Sequence, residues 1–113
     1  MNIQIFGVKK SFDTKKAERY FKERRVKYQF IDLKEKEMSK GEFSSVVRAV
    51  GGIDATVDAS AKDADLLAML PYLGEEARYQ KVFENQHLLR MPVVRNGAKA
   101  TVGYAPEVWK TWE

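Results

Sequence analysis

The 113-residue sequence contains no cysteine and a single histidine. A chain without a thiol forms no disulfide, offers no thiolate to a structural zinc and cannot carry out thiol–disulfide exchange on its own. Proline is also scarce, with three residues, and no Pro/Ser-rich linker, internal repeat or low-complexity run divides the chain. These absences predict one domain over residues 1–113, a length that supports a single apolar core without cross-links. No run of about 18 apolar residues offers a membrane span. The N-terminus lacks the basic, apolar and small-residue order of a signal peptide, so the expected location is cytoplasmic.

Charge is present but unevenly placed. Between residues 9 and 25 stand eight basic side chains (Lys9, Lys10, Lys15, Lys16, Arg19, Lys22, Arg24, Arg25) against Asp13, Glu18 and Glu23. This local excess is larger than the +4 of the whole chain, so the remainder is slightly acidic. A solvated helix face accounts for such a stretch. An anion or an acidic protein is the functional alternative. It is a weak footprint beside that of a dedicated nucleic-acid binder, and direct nucleic-acid binding is not expected.

The order of elements follows from periodicity and punctuation. Asn2 to Gly7 reads as a strand with Ile3 and Ile5 on one face. Asp13 to Arg25 reads as a helix with Ala17, Tyr20 and Phe21 on its inner side, capped by Asp13 or Ser11. Val26 to Phe30 alternates as a second strand ending near Leu33, completing a βαβ unit with parallel pairing. Ser39-Lys40-Gly41-Glu42 is a capping-box pattern ahead of Phe43, Val46, Val47 and Val50 at helical spacing, and Gly51-Gly52 ends that helix. Ile53 to Ala61 has no clear period and reads as a loop. Short helices are expected after Ser60, carrying Leu66, Leu67 and Leu70, and over about 75–88, burying Tyr79, Val82 and Phe83. Asn96-Gly97 reads as a two-residue hairpin turn between Pro92–Arg95 and Ala98–Val102. Pro106 suits the first position of a last helix, which Val108, Trp109 and Trp112 would dock onto the sheet.

The predicted fold class is therefore α/β: β-α-β, a helical insertion at about 38–89, then β-β-α, with a mixed four-stranded sheet. "IFGVKKSFDTKKAERYFKERRVKYQFIDLK" and "LLRMPVVRNGAKATVGY" resemble the arsenate reductase (ArsC)/Spx-like family, whose fold is thioredoxin-like. The resemblance covers nearly the whole chain and is weakest over 51–74. Aligned on Lys15-Lys16-Ala17, the family's redox cysteine falls on Ser11, and the second cysteine of two-cysteine members falls on Thr14. A thiolate at a helix N-terminus is reactive because the dipole and free N–H groups lower its pKa. A serine there stays protonated unless a base adjoins it, and capping alone accounts for Ser11 and Thr14.

Other implications follow from the same resemblance. Members that reduce arsenate carry an arginine immediately before the hairpin proline, whereas Met91 precedes Pro92 here and Arg90 is displaced by one position. The Met91-Pro92 bond is expected to be cis, which would present the backbone of Met91 beside the Ser11 turn. Arsenate or disulfide reductase activity is not expected without cysteine, and no catalytic residue or metal site is assigned. Lys10, Ser11, Phe12, Thr14, Lys15, Arg90, Met91 and Pro92 form the candidate ligand- or partner-binding set. The resemblance implies a redox-inactive binding or regulatory module with a protein partner, for which the C-terminal domain of the RNA polymerase α subunit is the family precedent. The alternative is an enzyme that borrows an external thiol such as glutathione. The isolated His87 falls in the expected helix over 75–88, away from any serine–base pattern.

Overall fold

The computed structural model describes residues 1–113. Four strands, β1 (Ile3–Gly7), β2 (Tyr28–Asp32), β3 (Val93–Asn96) and β4 (Lys99–Val102), form one sheet in the order β2-β1-β3-β4. β1 runs parallel to β2 and antiparallel to β3, and β3 and β4 form a hairpin. The expected element order and mixed sheet are both present. Because strand side chains alternate, Ile3, Ile5 and Val94 enter one core, while Phe6 and Val93 enter the other.

The first core lies under α1 (Phe12–Glu23) and α5 (Pro106–Trp109). Ala17, Tyr20 and Phe21 are buried at helical spacing on α1, and Trp109 is fully enclosed. Its ring meets Tyr20, Phe21 and Tyr104 at centroid distances of 5.2, 5.2 and 5.5 Å, and its Nε1–H donates to Thr101 at 2.8 Å. Val108, expected to dock with it, points outward instead. A four-residue helix exposes one face, and Trp109 occupies the inner one. Arg25 follows α1 with φ +58°. The N–H groups of Arg25 and Val26 donate to Lys22 and Phe21 carbonyls, a left-handed helix stop that glycine usually supplies.

The second core is covered by the chain between β2 and β3. It holds α2 (Lys40–Val50), α3 (Ala64–Met69) and α4 (Glu75–Glu84). The capping box of α2 is formed in both directions, and Gly51 ends the helix with φ +92°. The Ile53–Ala61 segment, expected as a loop, is a 3-10 turn at Ile53–Thr56 followed by a bridge from Val57 to Leu89. Ile53 and Thr56 are buried, and the Thr56 hydroxyl donates to the Ile53 carbonyl at 2.6 Å. Gln86 is also buried. Its amide oxygen accepts from Met38 N–H at 2.8 Å and its amide nitrogen donates to Met38 C=O at 3.1 Å, which fixes the entry to α2 against the exit from α4.

Several boundaries differ from the sequence reading. β2 begins at Tyr28 because Val26 is used in the helix stop. α4 ends at Glu84 and a separate 3-10 turn spans Gln86–Leu88. In the hairpin Asn96 pairs with Lys99, so the turn residues are Gly97-Ala98 rather than Asn96-Gly97. Gly97 alone has positive φ, +62°, the sign pattern of a type II′ turn with glycine first.

Candidate functional site

The sheet ends at Gly7, and Val8 to Lys10 turn the chain into α1. Ser11 is the N-cap: its hydroxyl oxygen accepts from Thr14 N–H at 3.1 Å, and its own N–H donates to Val8 C=O at 3.1 Å. The N–H groups of Phe12 and Asp13 donate to no protein acceptor, as is usual in a first helical turn. Thr14 is completely buried, and its hydroxyl has no partner. A Cβ at residue 7 would stand 2.4 Å from Thr14 Oγ1, so glycine there is what allows the helix to press against the strand end.

Opposite this turn the Met91-Pro92 peptide is cis. Arg90 N–H donates to Thr56 C=O at 2.8 Å, and Pro92 C=O accepts from Gly103 N–H at 2.9 Å. Between those two bonds the N–H and C=O of Met91 make none. A cleft of about 300 Å³ separates the two segments, lined by Ser11, Phe12, Asp13, Asp58, His87, Leu89 and Met91.

Of the residues expected at the site, Ser11, Phe12 and Met91 line this cleft. Thr14 and Pro92 are buried beside it. Lys10 and Lys15 are exposed on the outside of the turn, where Lys15 Nζ lies 5.9 Å from the Phe12 ring centroid. Neither lines the cleft, and neither does Lys9. Arg90 is turned to Gly103, where a Cβ would come within 3.2 Å of its guanidinium. The lining therefore has carboxylates and an imidazole but no guanidinium or ammonium, a poor receptor for an oxyanion.

Asp13, Asp58, His87 and Leu89 were not among the expected site residues. Asp58 and Leu89 arrive through the Val57–Leu89 bridge, which no short-range pattern announces. His87 is the sole histidine and stands four residues before Met91, the one signal that pointed toward it. Its Nε2 lies 2.8 Å from Asp63 Oδ2, and Asp63 also caps α3 by accepting from Leu66 N–H at 3.3 Å. The hydrogen bond from His87, helped by that backbone N–H, holds the Asp63 carboxyl below its ordinary range. No hydrogen bond joins His87 to Ser11, so the cap serine has no partnered base.

A larger groove of about 780 Å³ lies within the helical segment, bordered by Val57, Leu67, Pro71 and Arg78. Arg78 is already held by both oxygens of Asp54 at 3.0 and 3.3 Å and by Leu73 C=O at 2.7 Å. Each of its three nitrogens already has a protein acceptor, and the groove includes none of the helix-end or proline-edge groups. The smaller cleft is therefore the better site candidate despite its size.

Several solved structures share this fold over nearly their full length. A Bacteroides fragilis protein described as ArsC-family related superposes with a TM-score of 0.87 at 20% identity, covering 100% of this chain and 98% of the other. An arsenate reductase from Vibrio cholerae gives 0.78 at 19% identity, over 96% and 94% of the two chains. The chain has the ArsC-type thioredoxin-like fold. A Staphylococcus aureus protein of the same architecture gives 0.77 at 23% identity, over 96% of each chain. No family model and no curated protein matches the sequence. Within the ArsC-type fold this chain places serine and threonine, and no cysteine, at the start of the first helix. No helix is long and apolar enough to cross a membrane.

Proposed function

We propose that this ArsC-type protein is a redox-inactive binding module that captures an extended segment of a protein partner in the cleft between the Ser11 turn and the Met91-Pro92 edge. The observation that carries this reading is the unpaired N–H and C=O of Met91 on a residue that lines the cleft. Such a pair can extend a sheet-like hydrogen-bond pattern to a peptide without any sulfur chemistry. Phe12, which is 80% exposed, offers an apolar anchor at the mouth. The C-terminal domain of the RNA polymerase α subunit is the first partner to test. A glutathione-dependent reaction fits less well, because the lining supplies no cation for the carboxylates of that tripeptide.

The test is an amide-resolved NMR titration of the whole protein with that purified polymerase domain, in parallel with thiol-dependent turnover assays. Perturbations centred on Phe12, Asp13, His87, Leu89 and Met91 support the reading. Their absence removes this partner, and arsenate or disulfide reduction above a no-protein blank would overturn the redox-inactive assignment.

A further inference from the structure

The lining of the Ser11 cleft holds two carboxylates, Asp13 and Asp58, and no ammonium or guanidinium. The two differ in how much charge they leave free. Asp13 is half exposed, stands 3.9 Å from Lys16 and lies in the first turn of α1, where the positive end of the helix already offsets it. Asp58 is half-buried and forms no ion pair. Its backbone N–H donates to Leu88 C=O at 2.8 Å, and its Oδ1 accepts from the Ser60 N–H at 2.9 Å and the Ser60 hydroxyl at 2.7 Å. The carboxylate is thereby held in place, while Oδ2 accepts no bond within the chain.

The neighbouring imidazole adds acceptors rather than a counter-charge. His87 Nε2 lies 2.8 Å from Asp63 Oδ2. An ionised carboxylate only accepts, so the proton of the neutral ring sits on Nε2 and Nδ1 is left as an acceptor. Leu88, across from Asp58, precedes Met91 by three positions, about 10 Å along an extended chain. A long side chain one or two residues from the position that pairs with Met91 covers that distance.

This rests on the capture of a peptide at the Met91 edge: we infer that the captured segment carries an arginine or lysine, whose charge pairs with Asp58 while its backbone bonds to Met91. A guanidinium fork suits an oriented carboxylate best. The rest of the molecule favours the opposite charge. The chain is +4 overall, and Lys10 and Lys15 stand outside the Ser11 turn, so long-range attraction alone would select an acidic segment. A preference for a basic one therefore reports the cleft itself.

The experiment is an amide-resolved NMR titration of the intact protein near pH 7.5 with three end-blocked pentapeptides. Each has threonine at both ends and valine in the centre, with arginine, glutamine or glutamate at the two remaining positions. The arginine peptide is expected to shift the Met91 amide and to bind about fivefold tighter than the glutamine one, as one well-held ion pair allows, with the glutamate peptide weakest. Asp58→Asn keeps an oxygen for Ser60 and should bring the arginine-to-glutamine ratio to about one. Asp65→Asn, exposed on α3 outside the cleft, should leave the ratio unchanged. Met91 shifts with no preference for arginine, or a preference that survives Asp58→Asn, overturn the charge assignment and leave peptide capture standing. No Met91 shift with any of the three peptides overturns both.

Discussion

On one face of the sheet α1 and α5 close over Ile3, Ile5 and Val94 with aromatic rings in mutual contact. On the other, three helices and their connecting turns assemble a core of Phe6, Met38, Phe43, Val46 and several leucines. The first face is built around one residue, since Trp109 touches three rings and also bonds to β4 through Thr101. The second is held by polar links between distant segments: Gln86 to Met38, Arg78 to Asp54, and the Val57–Leu89 bridge. The contrast teaches that the two layers should fail by different physics, one through a cavity and the other through orphaned backbone groups.

The strongest way to break the aromatic face is Trp109→Ala, which should cost about 3–5 kcal/mol by emptying a large buried volume. Urea unfolding checks it, and a loss under about 1 kcal/mol would show that the face repacks easily. On the opposite face Gln86→Leu keeps the volume but strands the Met38 N–H and C=O. A loss of about 1–3 kcal/mol is expected, with faster amide exchange at the start of α2. Neutral behaviour would mean that the apolar contacts suffice there.

Smaller effects sharpen the comparison. Arg25→Gly should stabilise α1 and its face by about 1 kcal/mol, because the left-handed conformation at φ +58° opposes a Cβ. An unchanged melting temperature would show that the Arg25 side chain compensates. The smallest effect is acid-linked and belongs to the helical layer. Asp63 has a lowered carboxyl pKa in the folded chain, so its contribution is present above the ordinary value of 3.8 and is lost as pH falls through the lowered one. The stability gap between parent and Asp63→Asn should therefore shrink as the pH drops below that value, and a pH-independent gap would assign the effect to α3 capping alone.

Much of the architecture was legible in the sequence because its signals are local. Ser11 and Ser39 cap helices, Gly51 stops one, and the Ala17-Tyr20-Phe21 spacing marks the buried side of α1. Ser11 and Met91 were also found together at one cleft, as the resemblance implied. The misread parts depend on partners far along the chain. Ile53 to Ala61 looks irregular because its order comes from pairing with Leu88–Arg90. The same pairing places Asp58 in the cleft, which no spacing rule could announce. The hairpin shifted by one position because Gly97, rather than Asn96, takes the left-handed place in the turn.

The position of β2 at the end of the sheet order carries a consequence for how copies of this protein behave when crowded. Its outer side has no neighbouring strand, so five residues present a border to which another chain could add and continue the sheet. That border is short, with Lys27 at one end and Asp32, Lys34, Glu35, Lys36 and Glu37 at the other. An added strand would have to strip water from charged side chains at both ends of a five-residue border. A margin this short, closed at both ends by ionic side chains, gives a second chain little to hold.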